Sequence, residues 1–239
     1  MIVVRSALFN LYFFAVTAML SVLSVGFRLF APRHVLAIPM IWARWVLAGL
    51  RVICGIRFEV LGAERLPRAG AALIASRHQS AFDTVVWLAL LPRCCYVVKQ
   101  ELARIPLFGG MMEPAGMIVV DRAAGAGAMR HLMGEAERAA SEQRQIVIFP
   151  EGTRTASGRM GRLHPGIAAM AARTRLPIIP VITDSGRFWG RRAFRKTPGT
   201  IRISLLTPIS PTGKRETLMA ELAAALSTTL PDPVEKSGD

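Results

Sequence analysis

The sequence predicts an α/β protein with a mostly parallel central sheet flanked by helices, preceded by a hydrophobic anchor of two membrane-associating helices. Three observations predict this class. The first 56 residues are mostly apolar, short apolar runs recur after them, and helical patterns separate several of these runs. Strands that alternate with helices are typical of a parallel sheet covered on both faces. We therefore divide the chain into an anchor (residues 1–56), an α/β domain (57–230) and a disordered tail (231–239).

The anchor consists of two apolar stretches without a single acid. The first, residues 7–30, is long enough to span a bilayer, and its polar residues fall near one helical stripe that packs on protein or faces headgroups. No small-residue cleavage site follows it, which argues against a signal peptide. The second, residues 38–56, carries Arg44 and Arg51 on one face, as expected of an interfacial helix or one whose arginines snorkel. The pattern leaves spanning and flat arrangements open, and we favour a monotopic one.

Seven runs in the α/β domain have the β-branched and apolar composition of strands. They are residues 57–61, 71–76, 95–99, 117–121, 146–150, 178–183 and 201–206. Helical patterns occupy residues 81–91, 126–142, 167–173 and 216–226. Ligand sites of parallel sheets lie outside the carboxyl ends of the strands. We therefore expect one site near the four polar residues that lie at or just after strand ends: His78, Lys99, Asp121 and Glu151.

Composition restricts the class of partner. Of the 239 residues 52% are hydrophobic, and the formal net charge is +14. The apolar share indicates a membrane, and the charge indicates an anionic partner: acidic lipid headgroups, a phosphorylated substrate or carrier, or nucleic acid. Cys94 and Cys95 are adjacent and Cys54 lies in an apolar run, so no disulfide framework is expected. We expect reduced thiols in a domain that faces the cytosol.

The stretch "ASRHQSAFDT", residues 75–84, places His78 and Asp83 at the junction of a strand and a helix. The two side chains diverge in a continuous strand or helix, but they can meet if His78 lies in the loop and Asp83 in the first helical turn. A neutral imidazole could then deprotonate a hydroxyl while the carboxylate fixes its tautomer. A purely structural role is equally compatible with this spacing, because an acid in a first turn favours the helix's positive end.

Two further stretches offer groups suited to an anionic ligand. In "FPEGTRT", Gly152 allows close backbone approach, Thr153 supplies a hydroxyl, and Arg154 supplies a planar guanidinium suited to phosphate. The alternative is an ordinary surface turn. Lys99 closes a strand shortly before an apolar segment, residues 105–112, which can line a lipid-facing groove or pack in the core.

The motifs "HQSAFD", "KQELARIPLFG", "VDR", "FPEGTRT" and "IIPVI" occur in this order within residues 57–210, over which the chain resembles the glycerolipid acyltransferases. The nearest resemblance is to the 1-acylglycerol-3-phosphate (lysophosphatidic acid) acyltransferases. It implies an enzyme bound to the cell membrane, with its catalytic domain on the cytoplasmic side. The implied reaction moves an acyl chain from acyl-CoA or acyl carrier protein to the sn-2 hydroxyl of lysophosphatidic acid, giving phosphatidic acid, without a metal or other cofactor.

The resemblance also implies roles for individual residues. His78 would be the general base and Asp83 the acid that orients it. Five residues would bind the acceptor, with Arg154 on its phosphate, and three more are further candidates for the site. The binding set is Lys99, Glu151, Gly152, Thr153 and Arg154, and the further candidates are Arg77, Arg122 and Pro180.

Two departures from the family's pattern leave the acceptor open. Arg77 stands where asparagine is usual, and His164 stands near a glycine where the family often has lysine. The same chemistry could therefore act on glycerol 3-phosphate, another lysophospholipid or a lyso-aminolipid.

Other chemistries and classes have weaker support. A covalent intermediate on Ser80 or a cysteine is disfavoured, since there is no GxSxG motif and Ser80 lies two residues from His78. No metal site is expected, because the remaining histidines lack ligand-like spacing. The basic loop, residues 186–196, suits a membrane interface or an acidic carrier better than nucleic acid, and a solvated loop is the remaining alternative. A non-catalytic membrane protein that binds anionic lipid or nucleic acid is the alternative of another class.

Overall fold

The computed structural model describes residues 1–30, 37–104, 109, 112 and 115–230. The predicted disordered tail lies outside the described residues, and so does most of the predicted apolar segment 105–112. The side chain of Arg122, a further candidate for the site, also lies outside the described part of the chain.

A seven-stranded sheet forms the centre of the described structure, in the strand order β1-β7-β6-β2-β5-β3-β4. Strands β2 to β6 run parallel, whereas β7 pairs antiparallel with β6 and parallel with β1. The predicted class, α/β with a mostly parallel sheet, is confirmed, and each predicted strand is present. The strands are β1 (Ile56–Leu61), β2 (Ala72–Ser76), β3 (Cys94–Lys99), β4 (Ile118–Val120), β5 (Gln145–Ile148), β6 (Ile178–Thr183) and β7 (Gly199–Leu205).

Helices cover both faces of the sheet, because alternate residues of the buried strands point to opposite sides. In β2, Ala72 and Ile74 join a core with α2 and α3, whereas Leu73 and Ala75 join a core with α5, α6 and α8. The helices are α1 (Ile2–Phe30), α2 (Ala37–Gly49), α3 (Phe82–Leu90), α4 (Gln100–Ala103), α5 (Ala126–Ser141), α6 (Gly166–Thr174), α7 (Ser185–Phe188) and α8 (Arg215–Ser227).

The two N-terminal helices pack on the α/β domain through one face. By length and composition, Ile2–Phe27 and Ala37–Cys54 could each cross a membrane, the second including a π-helical turn (Leu50–Cys54) after α2. The polar stripe of α1 faces protein: Ser21 and Ser24 are buried, and Thr17 accepts a hydrogen bond from the Trp42 indole (2.9 Å).

The opposite face of α1 is apolar and exposed. Leu8, Leu11, Phe14 and Val22 are among its exposed residues, whereas Phe9 is fully buried in the core that contains α3. The anchor helices are thus held against the central sheet by shared core packing, with one apolar surface left uncovered.

Candidate active site

The turn between β2 and α3 brings His78 and Asp83 together. β2 ends at Ser76 and α3 begins at Phe82, so His78 lies in the loop and Asp83 in the first helical turn, as predicted. The His78 Nδ1 and Asp83 Oδ2 atoms are 3.3 Å apart. This arrangement directs the proton of a neutral imidazole to Nδ1 and leaves Nε2 as the proton acceptor.

The loop that precedes Asp83 holds its carboxylate in place. Its Oδ2 accepts hydrogen bonds from the backbone N–H groups of Gln79 (2.7 Å) and Ser80 (2.8 Å), in addition to its contact with His78. The carboxylate is 3% exposed, and it lies at the positive end of α3. The backbone donors therefore fix the position of the carboxylate beside the imidazole.

One aromatic ring stacks directly on the imidazole of His78. The Phe149 ring stacks on His78 with ring centroids 4.1 Å apart and an interplanar angle of 20°, and Tyr96 lies beyond it. Burial raises the pKa of Tyr96 well above its usual value, so this phenol stays neutral. The role of Phe149 could not be predicted from the sequence, because an aromatic residue near a strand end has the pattern of an ordinary core residue.

The Glu151 carboxylate connects the loops around His78. Its side chain is fully buried. One carboxylate oxygen accepts the His78 N–H (2.9 Å), and the other accepts from the Thr155 hydroxyl (3.1 Å) and the Gly161 N–H (3.3 Å). The contact of Glu151 with an acceptor stays a prediction; in the structure its carboxylate joins the His78 loop to the loop after β5.

Arg77 and Pro180 contact other parts of the protein behind the His78 loop. The Arg77 guanidinium donates to the Arg159 carbonyl, and its Nε is 4.0 Å from a Glu151 carboxylate oxygen. Pro180 is a buried residue of β6 that pairs with Ala75. Both support the loop and strand on which His78 is built, and neither lines the cavity described next.

A cavity of about 1390 Å³ connects His78 with the anchor helices. Its polar end contains four of the predicted binding residues, and its apolar end runs along α1 and α2. Gly152 adopts a φ of 69°, a left-handed conformation that favours glycine at this turn of the cavity wall. The polar lining is His78, Lys99, Gly152, Thr153, Arg154, His164, Arg191 and Arg192; the apolar lining includes Phe13, Phe14, Leu20, Ile38 and Trp42.

Arg154 supplies positive charge at the polar end of the cavity. Burial lowers the pKa of its guanidinium, the Asp83 carboxylate raises it, and the nearby Arg191 lowers it. An arginine stays charged at neutral pH in spite of such shifts. Among the described ion pairs none involves Arg154, so its charge is available to an anionic ligand.

The side chains considered for covalent catalysis are inaccessible. Ser80 is fully buried, and its hydroxyl accepts the Phe82 N–H (3.1 Å). The three cysteines are buried, and burial raises the pKa of Cys95 to about 11. Within the described residues, no group of three or more histidines, cysteines and acids is arranged to hold a metal ion.

The known proteins that this chain resembles are acyltransferases. Residues 57–184 match the Acyltransferase family. The 1-acyl-sn-glycerol-3-phosphate acyltransferase of Pseudomonas aeruginosa is 32% identical over 181 residues, which cover 76% of this chain and 70% of that protein. The human 1-acyl-sn-glycerol-3-phosphate acyltransferase beta is 30% identical over 171 residues, 71% of this chain and 62% of that protein.

A solved structure shares the fold. The crystal structure of the 1-acyl-sn-glycerophosphate (LPA) acyltransferase from Thermotoga maritima superposes with a TM-score of 0.73 at 22% sequence identity. The superposition covers 94% of this chain and 96% of that one. It therefore includes the N-terminal helices as well as the sheet.

Proposed function

The chain belongs to the Acyltransferase family of O-acyltransferase enzymes, as its motifs predicted, and from this premise we propose that it acylates the sn-2 hydroxyl of a lysophosphatidic acid to give phosphatidic acid. The observation that carries the proposal is one cavity in which His78, paired with Asp83, lies at the same polar end as Arg154. The names of the bacterial and human relatives support this choice of acceptor.

In the proposed mechanism, His78 Nε2 removes the proton of the acceptor hydroxyl. The hydroxyl oxygen attacks the thioester carbonyl, a C–O bond forms, and the C–S bond breaks. The proton passes from His78 to the departing thiolate, so that the imidazole is neutral again after each turnover. Asp83 stabilises the imidazolium that forms in between, and Phe149 holds the ring in plane.

The transfer is direct, without an acyl-enzyme. A covalent route needs a nucleophile that both the base and the thioester can reach. Ser80 is fully buried, and the described cysteines are buried as well. In the proposal, acceptor and donor are therefore bound at the same time, and no metal or other cofactor takes part.

The two ends of the cavity suit the two ends of the acceptor. Its phosphate would lie at Arg154, with Lys99 and Thr153 close by, because a guanidinium and a hydroxyl bind phosphate oxygens well. An acyl chain would lie along the apolar wall formed by α1 and α2. The acyl donor would be acyl-CoA or an acyl carrier protein, both of which carry a thioester.

We also propose that the enzyme is bound to the cell membrane through α1 and α2, with its catalytic domain on the cytoplasmic side. The exposed apolar face of α1 supports membrane association. The α/β domain packs beside the first half of α1, where Phe9 and Phe13 contact Trp189. Since a polar domain does not fit inside a bilayer, this packing favours helices that lie in the interface over helices that cross it.

A panel of acceptors tests the proposed function. Purified full-length protein receives one acyl-CoA and, in separate reactions, lysophosphatidic acid, glycerol 3-phosphate, a lysophospholipid with a diester headgroup or a lyso-aminolipid, and products are identified by mass spectrometry. We expect phosphatidic acid acylated at sn-2 as the main product. Faster acylation of any other acceptor would overturn the assignment of lysophosphatidic acid.

A further inference from the structure

The basic loop, residues 186–196, is fixed at both of its ends. At its start the Gly186 N–H donates to the Gln79 side-chain oxygen (3.1 Å), next to His78 in the chain. At its end Lys196 is 2% exposed, and its ammonium donates to an asparagine side chain of α1. A loop held in this way presents its other side chains at defined positions relative to the base.

Arg191 and Arg192 of this loop line the same cavity as His78 and Arg154. Both arginines are exposed. The sequence has no aspartate or glutamate between Asp184 and Glu216, so the loop's charge is not balanced by its own neighbours. No ion pair recorded for the described residues involves Arg191 or Arg192.

The charges of Arg191 and Arg154 act on each other. Arg191 lowers the pKa of the Arg154 guanidinium, which means that the two cations are near enough to repel. Like charges in one cavity are unfavourable when the cavity is empty and become favourable when an anion lies between them. A ligand with two negative charges on one group compensates both guanidinium groups.

We propose that Arg191, beside Arg192, is a second phosphate-binding residue that makes the site selective for an acceptor with a phosphate monoester. This inference rests on the proposed function and adds to it a residue that determines specificity. Arg154 would bind the phosphate from the loop after β5, and Arg191 would bind it from the basic loop.

The selectivity follows from the charge of the ligand. A phosphate monoester has a second pKa of about 6 and carries a charge of about −1.5 to −2 at neutral pH. A phosphate diester, as in a lysophospholipid with a headgroup alcohol, carries one negative charge. The attraction between Arg191 and the phosphate is therefore stronger for a monoester than for a diester.

Steady-state kinetics with two acceptors tests this proposal. Lysophosphatidic acid and lysophosphatidylglycerol of the same chain length are compared at saturating acyl-CoA, in the same detergent, for the wild type, Arg191→Gln and Arg195→Gln. Arg195 is a matched control, because it is an exposed arginine of the same loop that does not line the cavity. The KM for acyl-CoA is measured in parallel.

We expect Arg191→Gln to raise the KM for lysophosphatidic acid about tenfold and that for lysophosphatidylglycerol about twofold or less, as for loss of one charge-assisted contact. Arg195→Gln should leave both values within about twofold. Equal losses on both acceptors, the same effect from Arg195→Gln, or a raised KM for acyl-CoA alone would each overturn the proposal. Wild-type protein that does not acylate lysophosphatidic acid would instead refute the proposed function.

Discussion

Replacement of Asp83 by asparagine tests the pairing at the centre of the mechanism. The amide oxygen of asparagine can still accept the N–H groups of Gln79 and Ser80, which now donate to Asp83 Oδ2. The variant should therefore fold. What it loses is the negative charge 3.3 Å from His78 Nδ1, and with it the stabilisation of the imidazolium.

The size of the loss follows from that distance. Two unit charges 3.3 Å apart attract by about 5 kcal/mol at an effective dielectric constant of about 20. The remaining hydrogen bond and local water recover part of this energy. Since about 1.4 kcal/mol corresponds to a tenfold change in rate, we expect kcat to fall about 10²–10⁴-fold.

The assay follows release of free coenzyme A from acyl-CoA at saturating lysophosphatidic acid, with a coloured thiol reagent. Asp121→Asn is the control, because it makes the same chemical change at an exposed acid that accepts the Ala123 N–H and is not among the residues that line the cavity. Asp83→Asn added to His78→Ala should lower the rate no further, since the acid acts through the base. If folded Asp83→Asn kept kcat within about threefold of wild type, the reasoning would be refuted.

Three further predictions concern Glu151 beside the site, the contact between α1 and α2, and the burial of Cys95. Glu151→Gln should lower the unfolding temperature by several degrees. The amide N–H₂ of glutamine would face a donor that Glu151 now binds, at a cost of about 1–3 kcal/mol in the free energy of unfolding. An unchanged melting curve would contradict the connection of the two loops by Glu151. Gly49→Ala should also lower the unfolding temperature, since a Cβ there would clash with the Tyr12 ring. Gly134→Ala should not, because the space around Gly134 is open, and equal effects of the two substitutions would argue against the α1–α2 contact. Burial raises the pKa of Cys95 to about 11, which keeps its thiol protonated at pH 8. Iodoacetamide should therefore alkylate Cys95 far more slowly in folded than in urea-unfolded protein, as measured by mass spectrometry. Rapid labelling of the folded protein would contradict the burial of Cys95.

Much of the fold could be predicted because its signals are local. β-branched runs separated by helical patterns predict each strand, and the strand-to-helix junction predicts that His78 and Asp83 can meet. These features depend on hydrophobic period and on residues close in the chain. They need no knowledge of which distant segments come together.

The direction of individual side chains could not be predicted in the same way. Residues 151–154 follow one strand end, and the sequence does not say which of them face the cavity. Glu151 turns inward to join two loops, whereas Arg154 lines the cavity. The stacking of Phe149 on His78 depends on strands β2 and β5 lying side by side, a tertiary arrangement.

Which side chains of the basic loop are buried and which line the cavity could not be predicted either. The sequence predicts a membrane or carrier contact from its alternating cations and aromatic rings. In the structure Trp189 is 9% exposed against α1, and Lys196 is buried with it, while Arg191 and Arg192 line the cavity. This division depends on the docking of α1, which lies at the other end of the chain.

Turnover by His78→Ala tests the central claim most directly. The claim is that the imidazole of His78 activates the acceptor hydroxyl for direct attack on the thioester. Variant and wild type are compared as full-length proteins with equal vesicle binding and equal unfolding temperature, and the formation of phosphatidic acid is measured with labelled acyl-CoA. The account predicts a loss of at least about 10²–10⁴-fold in kcat with vesicle binding unchanged. A His78→Ala protein that keeps most of its turnover would contradict it.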